Sequence, residues 1–250
     1  MNEESQNILS ISLGTDSFKY AVYDESKQVV SDSDVWKTDV SLSLTANLRS
    51  FFKENEELCD YQKLIVRLES RRYITVPIEL FDEKQPELYY YQNIGRRDNE
   101  TILYNAIQGT GILIVYGIDT NAYHLLSAQF PNVSVVSHVS PLISSFAEKS
   151  QQGGNNKMYV NLSSDFVDVI GFNHGKLLIA NSYACRETSD RLYYIMYAWV
   201  QIGLDQNNDE ICFLGHASDR SQLLETIGKY IRHRITLSAE EEEEINHLLK

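Results

Sequence analysis

Residues 11–27 recur without a gap at residues 160–176, an offset of 149. Leu13 matches Leu162, Asp16 matches Asp165, Tyr23 matches Phe172 and Lys27 matches Lys176. Identities are few, so the match rests on pattern: apolar strand, polar turn, second apolar strand, turn, third strand. A repeat of this kind implies two halves of similar fold that face each other across a cleft. What the cleft holds is a separate question, because a fold does not fix a function.

The rest of the chain supports the same plan. Strands are expected at 8–13, 18–23 and 28–31, with Gly14-Thr15-Asp16 and Asp24-Glu25-Ser26 supplying turn residues. A helix is expected over 42–54, where Leu44, Leu48, Phe51 and Phe52 share one face. A strand at 63–68 follows. Pro77 and Pro86 then break the pattern, so residues 70–110 read as an insertion with its own short helix around Tyr89-Tyr90-Tyr91. A buried strand at 112–116, a helix at 121–129, a strand at 133–136 and a helix at 142–149 complete the first half. Gln151-Gln152-Gly153-Gly154-Asn155-Asn156 is the clearest linker in the chain.

The second half repeats the order. Strands are expected at 158–162, 166–172 and 176–181, with Asn173-His174-Gly175 as a hairpin turn. A helix follows Thr188-Ser189-Asp190 and ends at Gly203, with Leu192, Ile195, Met196, Trp199 and Val200 on one stripe. A strand at 211–214 leads through Gly215-His216-Ala217-Ser218 into a helix at about 221–231. Ser238 and Glu241 form a capping box for a last helix, which makes the acidic run 240–244 a solvated first turn. The expected class is α/β with two mixed sheets covered by helices, and the expected domains are 1–150 and 157–250.

Composition removes several functions. The 250 residues carry a formal net charge of −13, which disfavours nucleic acid and anionic membrane alike. Arg71-Arg72, Arg96-Arg97 and Arg232-His233-Arg234 read as surface charge. Cys59, Cys185 and Cys212 are far apart, as reduced thiols of a cytoplasmic protein would be. Met1-Asn2-Glu3-Glu4 lacks a signal-peptide profile, and the longest apolar run, 111–117, is too short to span a bilayer. Six histidines lie scattered without metal-ligand spacing. No Gly-x-Ser-x-Gly elbow is present, and Gly109-Thr110-Gly111 is not followed by the Gly-Lys-Ser/Thr of a Walker loop.

Three stretches carry a resemblance. Ser12-Leu13-Gly14-Thr15-Asp16 resembles a first phosphate loop, usually Asp-x-Gly-Thr. The segment from Asn161 through Ser163, Ser164, Asp165 and Phe166 to Asp168 resembles a second, usually Asp-x-Gly-Gly-Gly-Thr-x-Asp. Cys212-Phe213-Leu214-Gly215-His216-Ala217-Ser218 resembles an adenosine loop, usually Gly-Gly-x-Ser after an apolar strand. Together they resemble the actin-like ATPase superfamily. That resemblance implies two duplicated actin-like (ribonuclease H-like) halves with ATP between them and a small insertion in the first half. It also implies Gly14, Thr15, Asp16, Lys19, Asp168, Gly215 and Ser218 as the residues of a vestigial nucleotide cleft.

The departures bear on activity. Ser12 replaces an aspartate that positions metal and water, and a hydroxyl holds an Mg²⁺-bound water far more weakly. Asn161 keeps the shape of the second aspartate without its charge. Ser163, Ser164 and Asp165 replace glycines that let backbone N–H groups approach phosphate, and Asp165 sets a negative charge against one. Phe166 replaces a threonine, and His216 adds bulk where a base would lie flat. Around Val76-Pro77-Ile78-Glu79-Leu80-Phe81 the chain is similar to the actin-like parts of the type II secretion L component and pilus assembly protein M. It resembles more closely a bacterial family of unknown function with a degenerate actin-like fold. The expected function is a catalytically degenerate interaction or assembly module in the cytoplasm, with an unidentified protein partner and no cofactor. The insertion is the expected partner surface, with Tyr89, Tyr90 and Tyr91 as anchors. One alternative is a divergent ATP-binding protein that uses ATP and Mg²⁺ through Thr15, Lys19, Asp168 and Ser218; another is a cleft for a non-nucleotide ligand at His216 and Asp165.

Overall fold

The computed structural model describes residues 7–24, 29–238, 240–242 and 245. Its elements in chain order begin with β1 (Asn7–Leu13), β2 (Ser17–Asp24), β3 (Val29–Lys37), α1 (Leu44–Glu54), β4 (Lys63–Leu68), β5 (Tyr73–Pro77) and α2 (Pro86–Asn93). They continue with β6 (Glu100–Ile107), β7 (Ile112–Asp119), α3 (Thr120–Gln129), β8 (Asn132–Ser137) and α4 (Val139–Lys149). The last are β9 (Lys157–Leu162), β10 (Phe166–Asn173), β11 (Lys176–Ala184), α5 (Thr188–Gln201), β12 (Glu210–Gly215), α6 (Arg220–Ile227) and β13 (His233–Thr236). Gln28, the turn residues Glu25 and Ser26, the repeat position Lys27, the acidic N-terminus and Glu243-Glu244 lie outside the described residues. The chain divides into two compact units, Met1–Asn105 with Leu113–His138, and Ala106–Ile112 with Val139–Lys250.

Each unit contains one five-stranded mixed sheet, and the two sheets have the same order, β3-β2-β1-β4-β8 and β11-β10-β9-β12-β13. The repeat is preserved residue for residue in the hairpins. Leu13 pairs with Phe18 and Ser12 with Lys19, as Leu162 pairs with Val167 and Asn161 with Asp168. The second hairpin of each unit slips at matching positions, Val22/Tyr23 and Gly171/Phe172. A bulge kept at the same repeat position twists both edges alike.

Alternation explains which faces are covered. In the second unit Met158, Val160, Leu162, Val167, Val169, Ile211 and Phe213 point to one side and meet Ile195, Ala198 and Trp199 of α5. On the other side Tyr159 stacks on Phe146 of α4 at 3.9 Å. In the first unit Phe18 contacts Trp36 and Phe51, and Phe52 reaches Phe130 at 5.4 Å. Ser43 caps α1 by accepting from the Ala46 amide at 3.2 Å. The hairpin at 173–175 has positive φ at His174 and Gly175, as a primed turn requires.

The insertion differs from a short loop region. β5, β7 and β6 form a third sheet in that order, so the strand expected at 112–116 belongs to it and extends to Asp119. Tyr90 is fully buried against Val76 and Val115 and is therefore the core of the insertion, not an exposed anchor. Its hydroxyl donates to Glu100 at 3.1 Å, and Arg72 lies over its ring. Arg72, expected as surface charge, forms a two-pronged pair with Glu100 at 2.8 and 2.7 Å.

Candidate functional site

The turn between β1 and β2 holds the first loop. The Gly14 amide donates to the Ser17 carbonyl at 3.1 Å, closing the hairpin on itself. The Thr38 amide donates to the Asp16 carbonyl at 3.1 Å, and the Thr38 hydroxyl donates to the Thr15 carbonyl at 2.6 Å. Thr15, Asp16 and Lys19 are exposed. Ser12 is buried at the end of β1, where its hydroxyl donates to Glu69 at 3.0 Å and accepts from Arg67 Nε at 2.9 Å. Desolvation lowers the Arg67 guanidinium from its ordinary value, and the Glu69 carboxylate acts in the opposite sense. A Cβ added at Gly14 would lie 2.9 Å from the Ser17 carbonyl and 3.0 Å from Glu69 Oε2. The space over this glycine is therefore already held by a carboxylate of the same chain.

Gly14 and Thr15 also line a pocket of about 350 Å³ within the first unit. Its walls carry Asp39, Glu69, Asp98, Glu100 and Asp119 against Arg72 and Arg97. Most of these carboxylates are engaged: Asp119 caps α3 through the Ala122 amide at 2.8 Å and accepts from Thr45 and Asn99.

The second loop repeats the first in its backbone. The Ser163 amide donates to the Phe166 carbonyl at 3.1 Å, and the Cys185 amide to the Asp165 carbonyl at 3.0 Å. The carbonyls of Ser163 and Ser164 turn inward and accept from Arg191 Nη2 at 2.9 and 2.8 Å. Asp168 is fully buried on β10; it accepts from Asn161 Nδ2 at 2.8 Å and from the Ser182 hydroxyl. Phe166 is buried in the position that a threonine holds in the phosphate-loop pattern.

The third stretch follows β12. Gly215 has φ +78°, and a Cβ there would lie 2.4 Å from the Leu162 carbonyl and 2.6 Å from Asn161 Oδ1. Glycine is required by backbone and space together. The Gly215 carbonyl accepts from Arg220 at 2.6 Å, while His216 and Ser218 are exposed. Within the second unit the fold thus gathers Asn161, Asp168 and Gly215, and leaves the Ser218 side chain in solvent.

Sequence reasoning missed Arg67, Glu69, Ser182 and Arg191. The available signal for Glu69 is positional: Leu68 pairs with Leu13 as Gly215 pairs with Leu162, so Glu69 is the first-unit counterpart of His216. Among the described residues no cluster of three or more His, Cys, Asp or Glu could hold a metal ion. Among the same residues no helix is long and apolar enough to cross a membrane.

Two sheets of one order, each opening on a hairpin loop of the same register, define a duplicated actin-like ATPase fold. A crystal structure from Bacteroides thetaiotaomicron VPI-5482, of a protein with actin-like ATPase fold and unknown function, matches with a TM-score of 0.93 and 34% identity over 100% of both chains. The chain belongs to the family described as "Protein of unknown function (DUF3822)", whose model matches residues 1–234. A structure of the PilM–PilN type IV pilus biogenesis complex matches with a TM-score of 0.58 and 12% identity, covering 95% of this chain and 94% of that one. That likeness concerns the fold alone. No curated protein matches the chain.

Proposed function

We propose that this chain is a catalytically degenerate actin-like protein that serves as a cytoplasmic protein-interaction or assembly module. Its duplicated halves are 1–150 and 157–250, with the insertion at about 70–110 as the partner surface. The observation that carries the reading is the Glu69 carboxylate, 3.0 Å from where a Gly14 Cβ would stand. A polyphosphate needs free amides and open space beside that glycine. Here the Gly14 and Ser163 amides close their own hairpins, and the Ser163 and Ser164 carbonyls are tied to Arg191. The residues present do not fit Mg²⁺-ATP, so no step is assigned to it. Gly14, Thr15, Asp16, Lys19, Asp168, Gly215 and Ser218 are then vestiges of a nucleotide site.

The interaction half of the reading is supported by the outside of the insertion. Ile78, Leu80 and Leu88 are exposed there, Leu80 at 68%, and Tyr104 packs edge-on to Phe81 at 4.8 Å. They replace Tyr90 as the anchors, since large exposed apolar side chains on the turn at 78–80, on α2 and on β6 favour protein contact. PilM, which shares the fold, is found in a complex with PilN.

Melting of the full chain with Mg²⁺-ATP or Mg²⁺-ADP tests the first half of the reading. No shift is expected, whereas a ligand at 100 times its Kd adds about 2.7 kcal/mol. A saturable upward shift would sink the proposal. Affinity capture with Leu80→Asp and Leu88→Asp tests the second half, and an unchanged partner set would remove the insertion as the surface.

A further inference from the structure

The pocket beside Gly14 lies wholly within the first unit, and its floor is apolar. Leu13, Phe18, Leu68 and Ile118 line it, each buried by the fold. Its lip is apolar as well, since Val40 and Leu42 line the same space and are 72% and 48% exposed. The chain's own hydrogen bonds hold that lip in place. Buried Asn47 accepts from the Asp39 amide at 2.8 Å and donates to the Asp39 carbonyl at 2.9 Å. The Thr38 amide and hydroxyl donate to the carbonyls of Asp16 and Thr15. A pocket built in advance, apolar below and polar at a few points, is the usual form of a small-ligand site.

The charges on its wall do not balance. Arg72 is taken up by Glu100, which leaves Asp39, Glu69, Asp98 and Asp119 against Arg97. Hydrogen bonds orient these carboxylates without neutralising them. Asp39 accepts from the Ser41 amide and hydroxyl, and Asp119 accepts from Thr45, Asn99 and the Ala122 amide, all uncharged donors. Glu69 Oε1 is fixed by the Ser12 hydroxyl, while Oε2 stands beside the space over Gly14. Arg67 offsets Glu69 in charge but is not part of the wall. Excess negative charge over an apolar floor repels phosphate and draws cations. A neutral apolar ligand would take water from the carboxylates and give them no partner. A bare metal ion would leave the floor and lip unused, and among the described residues no metal-holding cluster exists.

We propose that this pocket binds an organic cation on an apolar stem, an alkylguanidinium or alkylammonium group. The charge meets Glu69, and the stem lies between the floor and the lip of Val40 and Leu42. A volume of about 350 Å³ suits a group of that size. A planar guanidinium can also bind a carboxylate through two parallel hydrogen bonds. The chemistry is the same whether the group belongs to a free small molecule or to an arginine or lysine of another chain. The proposal rests on the reading that the first loop no longer accepts phosphate.

The test is a titration of the full chain with butylguanidinium, followed by amide proton–nitrogen NMR. Saturable shifts are expected at the Gly14, Thr15, Glu69 and Gly117 amides, and pentanol, the neutral counterpart, should bind far more weakly. Glu69→Gln should weaken the cation about tenfold, the worth of one charged hydrogen bond. Leu42→Ser should weaken it too, whereas Arg97→Gln should tighten it by removing a like charge. Arg97 is exposed, so its variant carries the test if Glu69→Gln does not fold. A capped arginine separates the sources: tighter binding than butylguanidinium assigns the pocket to a side chain of another chain, and equal or weaker binding assigns it to a free small cation. Absence of a saturable shift, pentanol bound as tightly, or an affinity untouched by both charge substitutions overturns the proposal. A saturable response to Mg²⁺-ATP would instead overturn the reading beneath it, so the two failures are distinct.

Discussion

Arg191 and Asp219 form an ion pair at 3.0 Å in which the guanidinium side chain is only 2% exposed. The same guanidinium donates to the carbonyls of Arg186, Ser163 and Ser164, so one side chain fastens the second loop to α5 and to the start of α6. Arg191→Met removes those donors and leaves Asp219 facing an apolar group. Breaking a buried pair from one side costs about 3–5 kcal/mol. Urea denaturation should show that loss, and a change within about 1 kcal/mol would mean that the pair behaves as a surface one.

Acid should weaken the fold in a direction the carboxylates dictate. Burial raises the Asp219 carboxyl, but the Thr188 hydroxyl and the Arg191 guanidinium outweigh it and hold the group below the usual range. Glu100 beside Arg72 and Glu210 beside Lys157 are lowered in the same way against their own burial. A group depressed in the folded state stabilises above its unfolded value, about 3.9 for Asp and 4.3 for Glu. That stability is lost as pH falls through the lower folded value. Denaturation free energy should therefore be level near neutrality and decline with acid, and Asp219→Asn should make the decline shallower. A decline no shallower in that variant would rule out Asp219 as a source.

Much of the architecture was legible because its signals are local. Alternation and turn residues mark the hairpins, and the 149-residue offset between Leu13 and Leu162 predicts their common register. The capping box was legible too: the Ser238 amide donates to Glu241, and the Glu241 amide to the Ser238 hydroxyl. What stayed hidden depends on distant partners. β13 is short and, among the described residues, pairs with β12 alone, and β7 pairs across to β5, which no periodicity announces. Arg72 reads as surface charge in the sequence, and Arg191 carries no signal there, because their acceptors, Glu100 and the Ser163 and Ser164 carbonyls, lie about 28 residues away. Tyr90 was misplaced for a related reason, since three successive tyrosines on a helix point in different directions and only the fold decides which one is covered.

Glycine replacement should separate backbone strain from crowding. Gly203 has φ +73° with nothing within 4 Å of a Cβ, whereas Gly215 has φ +78° and a Cβ only 2.4 Å from the Leu162 carbonyl. Gly203→Ala should cost about 1 kcal/mol through φ alone. Gly215→Ala must also push β9 and β12 apart and should cost roughly 3 kcal/mol or more. Equal costs in thermal melts would show that the close approach at Gly215 is easily relieved.

The insertion should stand or fall with Tyr90. Tyr90→Phe keeps the ring under Arg72 and loses the hydroxyl's contacts to Glu100 and to the Arg72 carbonyl, about 1 kcal/mol. Tyr90→Ala empties the centre of a small core, a change worth about 3–5 kcal/mol where packing is complete. Hydrogen exchange should then rise across β5, α2 and β7 while β9, β10 and β12 stay protected. Uniform loss of protection would mean that the insertion does not open separately.

Glu69 allows a last and stricter test of the degenerate loop. If its carboxylate were the sole obstacle to phosphate, Glu69→Gln would remove the charge beside Gly14 while keeping the shape and the contact to Ser12. The geometry predicts otherwise. The Gly14 amide would still donate to the Ser17 carbonyl, and the second loop would still present its Ser163 and Ser164 carbonyls to Arg191. Glu69→Gln should therefore lose some stability, because the Ser12 and Arg67 contacts weaken without the charge, and should gain no response to Mg²⁺-ATP in a thermal melt. A saturable nucleotide shift appearing only in this variant would show that the loops remain competent, with a single resident carboxylate holding phosphate out.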